Sequence, residues 1–283
     1  MAALFVNHLT VLDFSFIDPD HGILGESWIV DVELHGRLDE QGMVFDFGDV
    51  KKQVRDAVED LIDHKLIVPA TLPNYQMQIH DEQADLRWQD TQGRQYVHIS
   101  PLQAIERLEQ GPVTQENLTP LLQQAAMRVV PDNVTEILIT LRQEEINGAS
   151  YQYSHGLKKH QGNCQRIAHG HRSRLKIYRN GKRDPLLEKA WALKWKHIYI
   201  GTESDLLKRY NEQGIDYCQF GYDAEQGRFE LSLPARQVYL ITTDSTVEHI
   251  AEHIACTLKQ EDPDHTFTVK AYEGVMKGAI AIQ

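Results

Sequence analysis

"GHRSRLKIYRNG", residues 170–181, aligns without gaps to "GESWIVDVELHG", residues 25–36. Both open on glycine, alternate apolar and polar residues with period two, and run to a glycine turn. That is the pattern of a half-buried strand ending in a turn. The match extends outward. "VTQENLTPLL" (113–122) resembles "STVEHIAEHI" (245–254): each reads Thr-x-Glu and continues in an apolar helical pattern. Thr114 and Thr246 are therefore predicted N-caps. Behind each helix comes a β-like run, "NVTEILITL" or "HTFTVKAY", then a glutamate, Glu144 (or Glu145) in one case and Glu273 in the other. A small-residue stretch follows, "INGAS" or "VMKGA". The chain reads as two diverged copies of one module, 1–146 and 147–283. No Gly/Ser- or Pro-rich linker separates them, so the copies are expected to pack as one unit.

In copy one, "DFGDVKKQVRDAVEDLIDH" (46–64) is the clearest helix, with Val50, Val54, Ala57, Val58, Leu61 and Ile62 on one stripe. Asp46 and Asp49 fall in its first turns, where carboxylates favour the helix dipole. Residues 72–100 alternate around "TQGR" and read as an inserted hairpin. Copy two has strand-like "KWKHIYIG" and "GRFELSLP" in place of the long helix, around a shorter helix near 203–212. The expected class is α+β, an antiparallel sheet with helices on one face.

The 283 residues carry a formal net charge of −12, which disfavours nucleic acid and anionic lipid as partners. No apolar run approaches the roughly 20 residues of a membrane span. "MAALFVNHLTVLDFSF" has no basic n-region or cleavage site, and Asp13 interrupts its apolar run, so a cytoplasmic protein is expected. The cysteines, Cys164, Cys218 and Cys256, have no paired spacing and read as free thiols. Positive charge concentrates between Tyr151 and Arg183, which holds no Asp or Glu but Lys158, Lys159, Arg166, Arg172, Arg174, Lys176, Arg179, Lys182 and Arg183. This is either a solvated face or a pocket for an anionic small molecule.

His169 and His171 lie one residue apart on a predicted strand and so project from one face. With 14 histidines in the chain, a chance His-x-His is expected on the order of 0.7 times, so a third ligand is needed. His155, at the end of the preceding strand, could reach the same face. Three histidines with an open fourth position form a catalytic zinc pattern. Cys164 is either a further ligand, a base in the loop, or a small buried apolar residue; His155 could equally be a satisfied core histidine. Gap-free alignment sets Leu24 opposite His169, Glu26 opposite His171, and Asp18 or Ile17 opposite His155, so copy one cannot hold the same metal. His249 and His253 lack the glutamate of a metalloprotease helix and read as an exposed helix face.

Together these residues resemble the 6-pyruvoyl-tetrahydropterin synthase and 6-carboxytetrahydropterin synthase family, as a tandem fusion. The family's strand-end His, its Cys and its His-Gly-His are similar to His155, Cys164, His169 and His171. Its Gly-Met-Val-x-Asp-Phe segment resembles "GMVFDF" (42–47), its Asp-His resembles Asp63-His64, its Thr-x-Glu-Asn helix start resembles Thr114 to Asn117, and its late pterin-binding Glu resembles Glu273. The resemblance covers most of both copies except 72–100 and 184–235. It implies two tandem T-fold modules that assemble into a barrel-like homo-oligomer. It implies a Zn2+ cofactor on His155, His169 and His171, one per chain, and a lyase acting on 7,8-dihydroneopterin triphosphate. Cys164, Asp63 and His64 would then be catalytic, with Glu273, Glu116 and Thr114 binding substrate. Family members build each site between neighbouring subunits. Here copy two carries the metal ligands and cysteine without Asp-His, and copy one carries Asp-His without metal ligands, which implies one site shared by both. The implied product is 6-carboxy-5,6,7,8-tetrahydropterin, on the route to queuosine-type deazapurines. The alternatives are the 6-pyruvoyl product or a non-catalytic pterin- or metal-binding module.

Overall fold

The structure, a computed structural model, describes residues 2–38 and 47–283. "GMVFDF" and Asp46 lie outside the described residues, apart from the backbone of Phe47. Copy one opens on a long antiparallel hairpin, β1 (Ala2–Asp18) and β2 (Gly22–Gly36), with Ser15 opposite Gly25. Helix α1 (Phe47–Ile62) follows. Val50, Val54, Val58 and Ile62 recur every four residues and are all buried, each contributing roughly 1.5–3 kcal/mol. The chain continues through β3 (Leu66–Pro69), β4 (Gln76–His80), β5 (Gln83–Gln89), β6 (Gln95–Pro101), a 3-10 turn at Leu102–Ala104 and β7 (Ile105–Leu108). Helix α2 (Gln115–Met127) and β8 (Val134–Gln143) complete the copy, and Thr114 caps α2 by accepting from the Asn117 N–H. The first sheet runs β7-β3-β1-β2-β8.

Copy two repeats this order. Its strands β9 (Ser150–His155) and β10 (His169–Arg179) pair with Ser154 opposite Gly170, and β11 (Lys182–Arg183) sits on β10. Then come α3 (Pro185–Lys194), β12 (Ile198–Thr202), β13 (Leu206–Glu212), β14 (Ile215–Ala224) and β15 (Gly227–Pro234). Strand β16 (Val238–Ile241), α4 (Val247–Glu261), β17 (Phe267–Tyr272) and β18 (Gly278–Ile282) close the chain. The second sheet runs β16-β12-β9-β10-β17-β18.

Three expectations are corrected here. Residues 72–100 form three strands rather than a hairpin, and β13–β15 are their counterpart, so the insertion belongs to both copies. The two insertions join in one six-stranded sheet, β13-β14-β15-β6-β5-β4, with Leu231 opposite His98 at the seam. The stretch near 203–212 is a 3-10 turn (Glu203–Asp205) followed by β13, because ladder bonds to β14 override the helical propensity of its Leu, Lys and Arg residues. Finally, copy two keeps a helix in the α1 position. Asp184 caps α3 by accepting from Leu187 N–H, and Pro185 occupies its first turn.

The copies meet where the two hairpins cross. Ser15 Oγ and Ser154 Oγ are 2.7 Å apart. A Cβ on Gly25 would fall 1.9 Å from the Tyr153 carbonyl oxygen, and one on Gly170 would fall 2.6 Å from Gly25 Cα. Only glycine permits this approach of backbone on backbone. Separate cores lie under the helices of each copy, and a third, including Ile17, Leu66, Trp88, Ile167, Phe220 and Phe229, spans both. Among the described residues, no helix is long and apolar enough to cross a membrane.

Candidate active site

The register of β9 against β10 places His155 directly opposite His169, with His171 two residues on. All three are buried, and one ligand atom from each lies within 4.8 Å of the others. Two rings are anchored through Nδ1, His155 at 3.0 Å from Ser245 O and His169 at 2.9 Å from Arg166 O, while His171 Nδ1 has only a close contact, 3.2 Å from Asp13 Oδ1. This leaves Nε2 of all three buried without a partner. A buried unsatisfied polar atom costs about 1–3 kcal/mol, so three converging ones are not a packing solution. They could hold a cation, and anchored Nδ1 atoms are the usual supports of metal-ligating imidazoles. Burial, then the neighbouring imidazoles, hold His155 and His169 well below the ordinary histidine range. Both are neutral, the state in which imidazole ligates.

Copy one supplies the opposite wall. The chain leaves α1 through Asp63 and turns at His64, whose φ is 56°. This left-handed helix exit carries the ring to 5.0 Å from that of His169. Asp63 Oδ2 lies 2.6 Å from His64 Nδ1, and Asp63 Oδ1 accepts from Asp13 N–H at 2.8 Å. Cys164, on a 3-10 turn (Asn163–Gln165), completes a second group with His64 and His169, again within 4.8 Å. Burial pulls the His64 pKa down, but the Asp63 carboxylate and the Cys164 side chain outweigh it and raise it to about 10. A protonated His64 is a proton donor, which leaves His155, His169 and His171 as the three that could hold a metal in their neutral form. Side chains of both copies, Asp63 and His64 from one and Cys164 and His169 from the other, thus come together within one chain.

Asp13 was not among the candidates from sequence. Its buried carboxylate accepts from Ser27 Oγ at 2.5 Å and lies 3.3 Å from Lys277 Nζ. Burial opposes its ionisation, but His171, Lys277 and Ser27 prevail and hold the carboxyl well below its usual range. An ionised carboxylate beside His171 Nδ1 fixes the orientation of that ring. Asp13→Asn is expected to weaken metal binding about 10–100-fold, measured by competition with a chelator; unchanged affinity would remove Asp13 from the site.

The family model described as 6-pyruvoyl tetrahydropterin synthase matches residues 11–153 and again 145–281. The chain belongs to the 6-pyruvoyl tetrahydropterin synthase family. The family's enzymes are lyases of pterin metabolism, and this member carries two of its T-fold domains in tandem. Among solved structures, a catalytic-residue mutant of Plasmodium vivax 6-pyruvoyltetrahydropterin synthase is 18% identical, with a TM-score of 0.41, covering 50% of this chain and 90% of that one. Plasmodium falciparum 6-pyruvoyl tetrahydropterin synthase is 14% identical, with a TM-score of 0.40 and the same coverages. No curated protein matches the chain.

The remaining candidates of this 6-pyruvoyl tetrahydropterin synthase relative are placed as follows. Glu273 follows β17 on the metal side, its carboxylate 3.9 Å from Lys277 Nζ. Thr114 and Glu116 sit at the N-terminus of α2, which packs mainly on β8 and α1. Glu116 is exposed. Among the described residues neither bonds to the histidine cluster. Strand registers also revise the copy-to-copy pairing. With Gly25 equivalent to Gly170, His155 corresponds to Phe16, not to Asp18 or Ile17. Val30 faces Leu141 and Leu175 faces Ala271, so the counterpart of Glu273 is Gln143, not Glu144. Glu144 is instead gripped by Arg174. Five of the nine basic residues of the segment pair with carboxylates: Lys158 with Asp205, Lys159 with Asp244, Arg174 with Glu144, Arg179 with Asp184 and Arg183 with Glu188. His249 and His253 are half-buried rather than exposed, bonded to Asp244 O and Tyr239 Oη.

Proposed function

We propose that the chain is a zinc-dependent cytoplasmic lyase that converts 7,8-dihydroneopterin triphosphate to 6-carboxy-5,6,7,8-tetrahydropterin, on the route to queuosine-type deazapurines, in a site shared by its two modules. The observation that carries this reading is that three buried histidines with unpartnered Nε2 atoms meet Cys164 and His64 through the shared His169, across the module boundary. Zinc on His155, His169 and His171 would polarise the oxygens of the substrate side chain. The chain's own residues do the rest. Protonated His64, oriented by Asp63, gives a proton on one side of the bound side chain, and Cys164 moves the other. Glu273 accepts two N–H donors of the pterin in parallel hydrogen bonds. Incubation with dihydroneopterin triphosphate tests the reading: acetaldehyde release with the carboxy product is expected. Formation of the 6-pyruvoyl product would move the chain to the family's other activity, and no turnover would make it a binding module.

The assembly is expected to be a homo-oligomer. Strands β8 and β18 are sheet edges, and Leu138 on the first and Ile280 and Ile282 on the second are 40%, 59% and 69% exposed. Unpaired edges with exposed apolar side chains seek partners. Light scattering at micromolar concentration checks this, and a monodisperse monomer would overturn it.

A further inference from the structure

Equivalent strand positions about the crossing at Ser15 and Ser154 relate the candidate active site to a second pocket. This is a cavity of about 460 Å3 whose lining includes Gln143, Gln152, Arg172, Lys189, Lys196 and His197. Strand registers identify its walls. Gln152 stands where copy one has Asp13, and Arg172 where it has Ser27. Ser15 pairs with Leu66 and Ser154 with Tyr199, which sets Lys196 in the place of Asp63 and His197 in the place of His64. His197 even keeps the left-handed backbone, with φ 58°. Gln143 replaces Glu273, and the metal ligands are replaced by Phe16, Leu24 and Glu26.

Apart from the exchange of His171 for Glu26, these replacements run in one direction. Three carboxylates become two amides and an ammonium, and a serine becomes a guanidinium, in a chain whose net charge is −12. Loss of function alone has no reason to make a pocket positive in an acidic protein. Among the described residues, no carboxylate pairs with Lys189 or Lys196, whereas five of the nine basic residues between Tyr151 and Arg183 have one. Arg172 donates to the Glu144 carbonyl at 3.0 Å, and the guanidinium has further N–H donors. Glu26, bonded to the lining residues Gln143 and Gln152, is buried, and the charge of Arg172 acts on it. Ser27 N–H donates to one oxygen, while Gln143 and Gln152 Nε2 donate to the other at 2.7 and 3.3 Å. Burial raises its pKa to about 7, so part of its charge is withheld near neutrality.

We infer that this cavity is a second, metal-free ligand site that takes a phosphate-bearing small molecule, held by Arg172, Lys189 and Lys196. Arginine and lysine in convergent array are the side chains that grip phosphate. The inference goes beyond the proposed activity and does not depend on it. Titration calorimetry of inorganic tripolyphosphate into the full chain tests it, comparing wild type with the double variant Lys189→Glu/Lys196→Glu. Both lysines are exposed, so the variant should melt and hold metal as the wild type does. Binding at least about tenfold weaker in the variant is expected, from the loss of two charge-assisted contacts. Equal affinity in both proteins, or no binding by wild type at about 10 mM, a free energy below 3 kcal/mol, would overturn the site. A chain without lyase turnover that still binds tripolyphosphate through these lysines would sink the catalytic reading and leave this one standing.

Discussion

His64→Ala is expected to lower turnover about 10²–10⁴-fold while leaving metal content unchanged. His64 is expected to act as a proton donor rather than a ligand, because, against burial, the Asp63 and Cys164 side chains raise its pKa to about 10, with Nδ1 2.6 Å from Asp63 Oδ2. Removing it deletes a proton-transfer group and leaves His155, His169 and His171 in place. Cys164→Ala is expected to lose turnover comparably, from the other module. Because Asp63, His64 and Cys164 meet within one chain, mixing and reassembling the two inactive variants should restore nothing. Recovery of turnover on mixing would show that working sites are built between chains. Near wild-type turnover of His64→Ala would refute the composite site and reduce Asp63-His64 to a helix end.

Much of this site is legible in the sequence because two glycines fix a register. Gly25 and Gly170 must be glycine at the hairpin crossing, so anchoring the alignment on them correctly set Leu24 against His169 and Glu26 against His171. Across the turn the alignment slipped. Copy one joins β1 to β2 through three residues, 19–21, while copy two spans 156–168, and no gap-free pairing carries over loops of unequal length. That is why His155 was set opposite Asp18 or Ile17 instead of Phe16. Helix α3 did carry a local signal, Asp184-Pro185, the start of a capped helix. His197 was also visible, but its equivalence to His64 rests on a parallel strand pairing that no local pattern encodes. Asp13 stood out as a charge inside an apolar run. Its contact with His171 depends on the packing of one module against the other, and no period or motif in either copy reports it.

One zinc per chain is expected, and His169→Ala plus His171→Ala should abolish it. Two candidate ligand groups exist among the described residues, His155/His169/His171 and His64/Cys164/His169. They share His169, so its loss alone cannot distinguish them. The other members can. If the first group holds the ion, Cys164→Ala and His64→Ala retain zinc and His171→Ala loses it; the second group gives the reverse. The first group is favoured by its three unpartnered Nε2 atoms, its complete burial and its anchored Nδ1 atoms. Copy one holds Phe16, Leu24 and Glu26 at the equivalent positions, and neither phenyl nor isobutyl groups ligate zinc, which limits the count to one. Bound metal also stabilises the folded chain, because the unfolded chain does not preform the site. At free zinc near 100 times its dissociation constant the gain is about 2.7 kcal/mol. Chelation should therefore lower the melting temperature of the wild type and leave that of the double variant unmoved. Metal analysis and thermal melts read both effects. Two tightly held ions per chain, or zinc retained by the double variant, would rule out this centre.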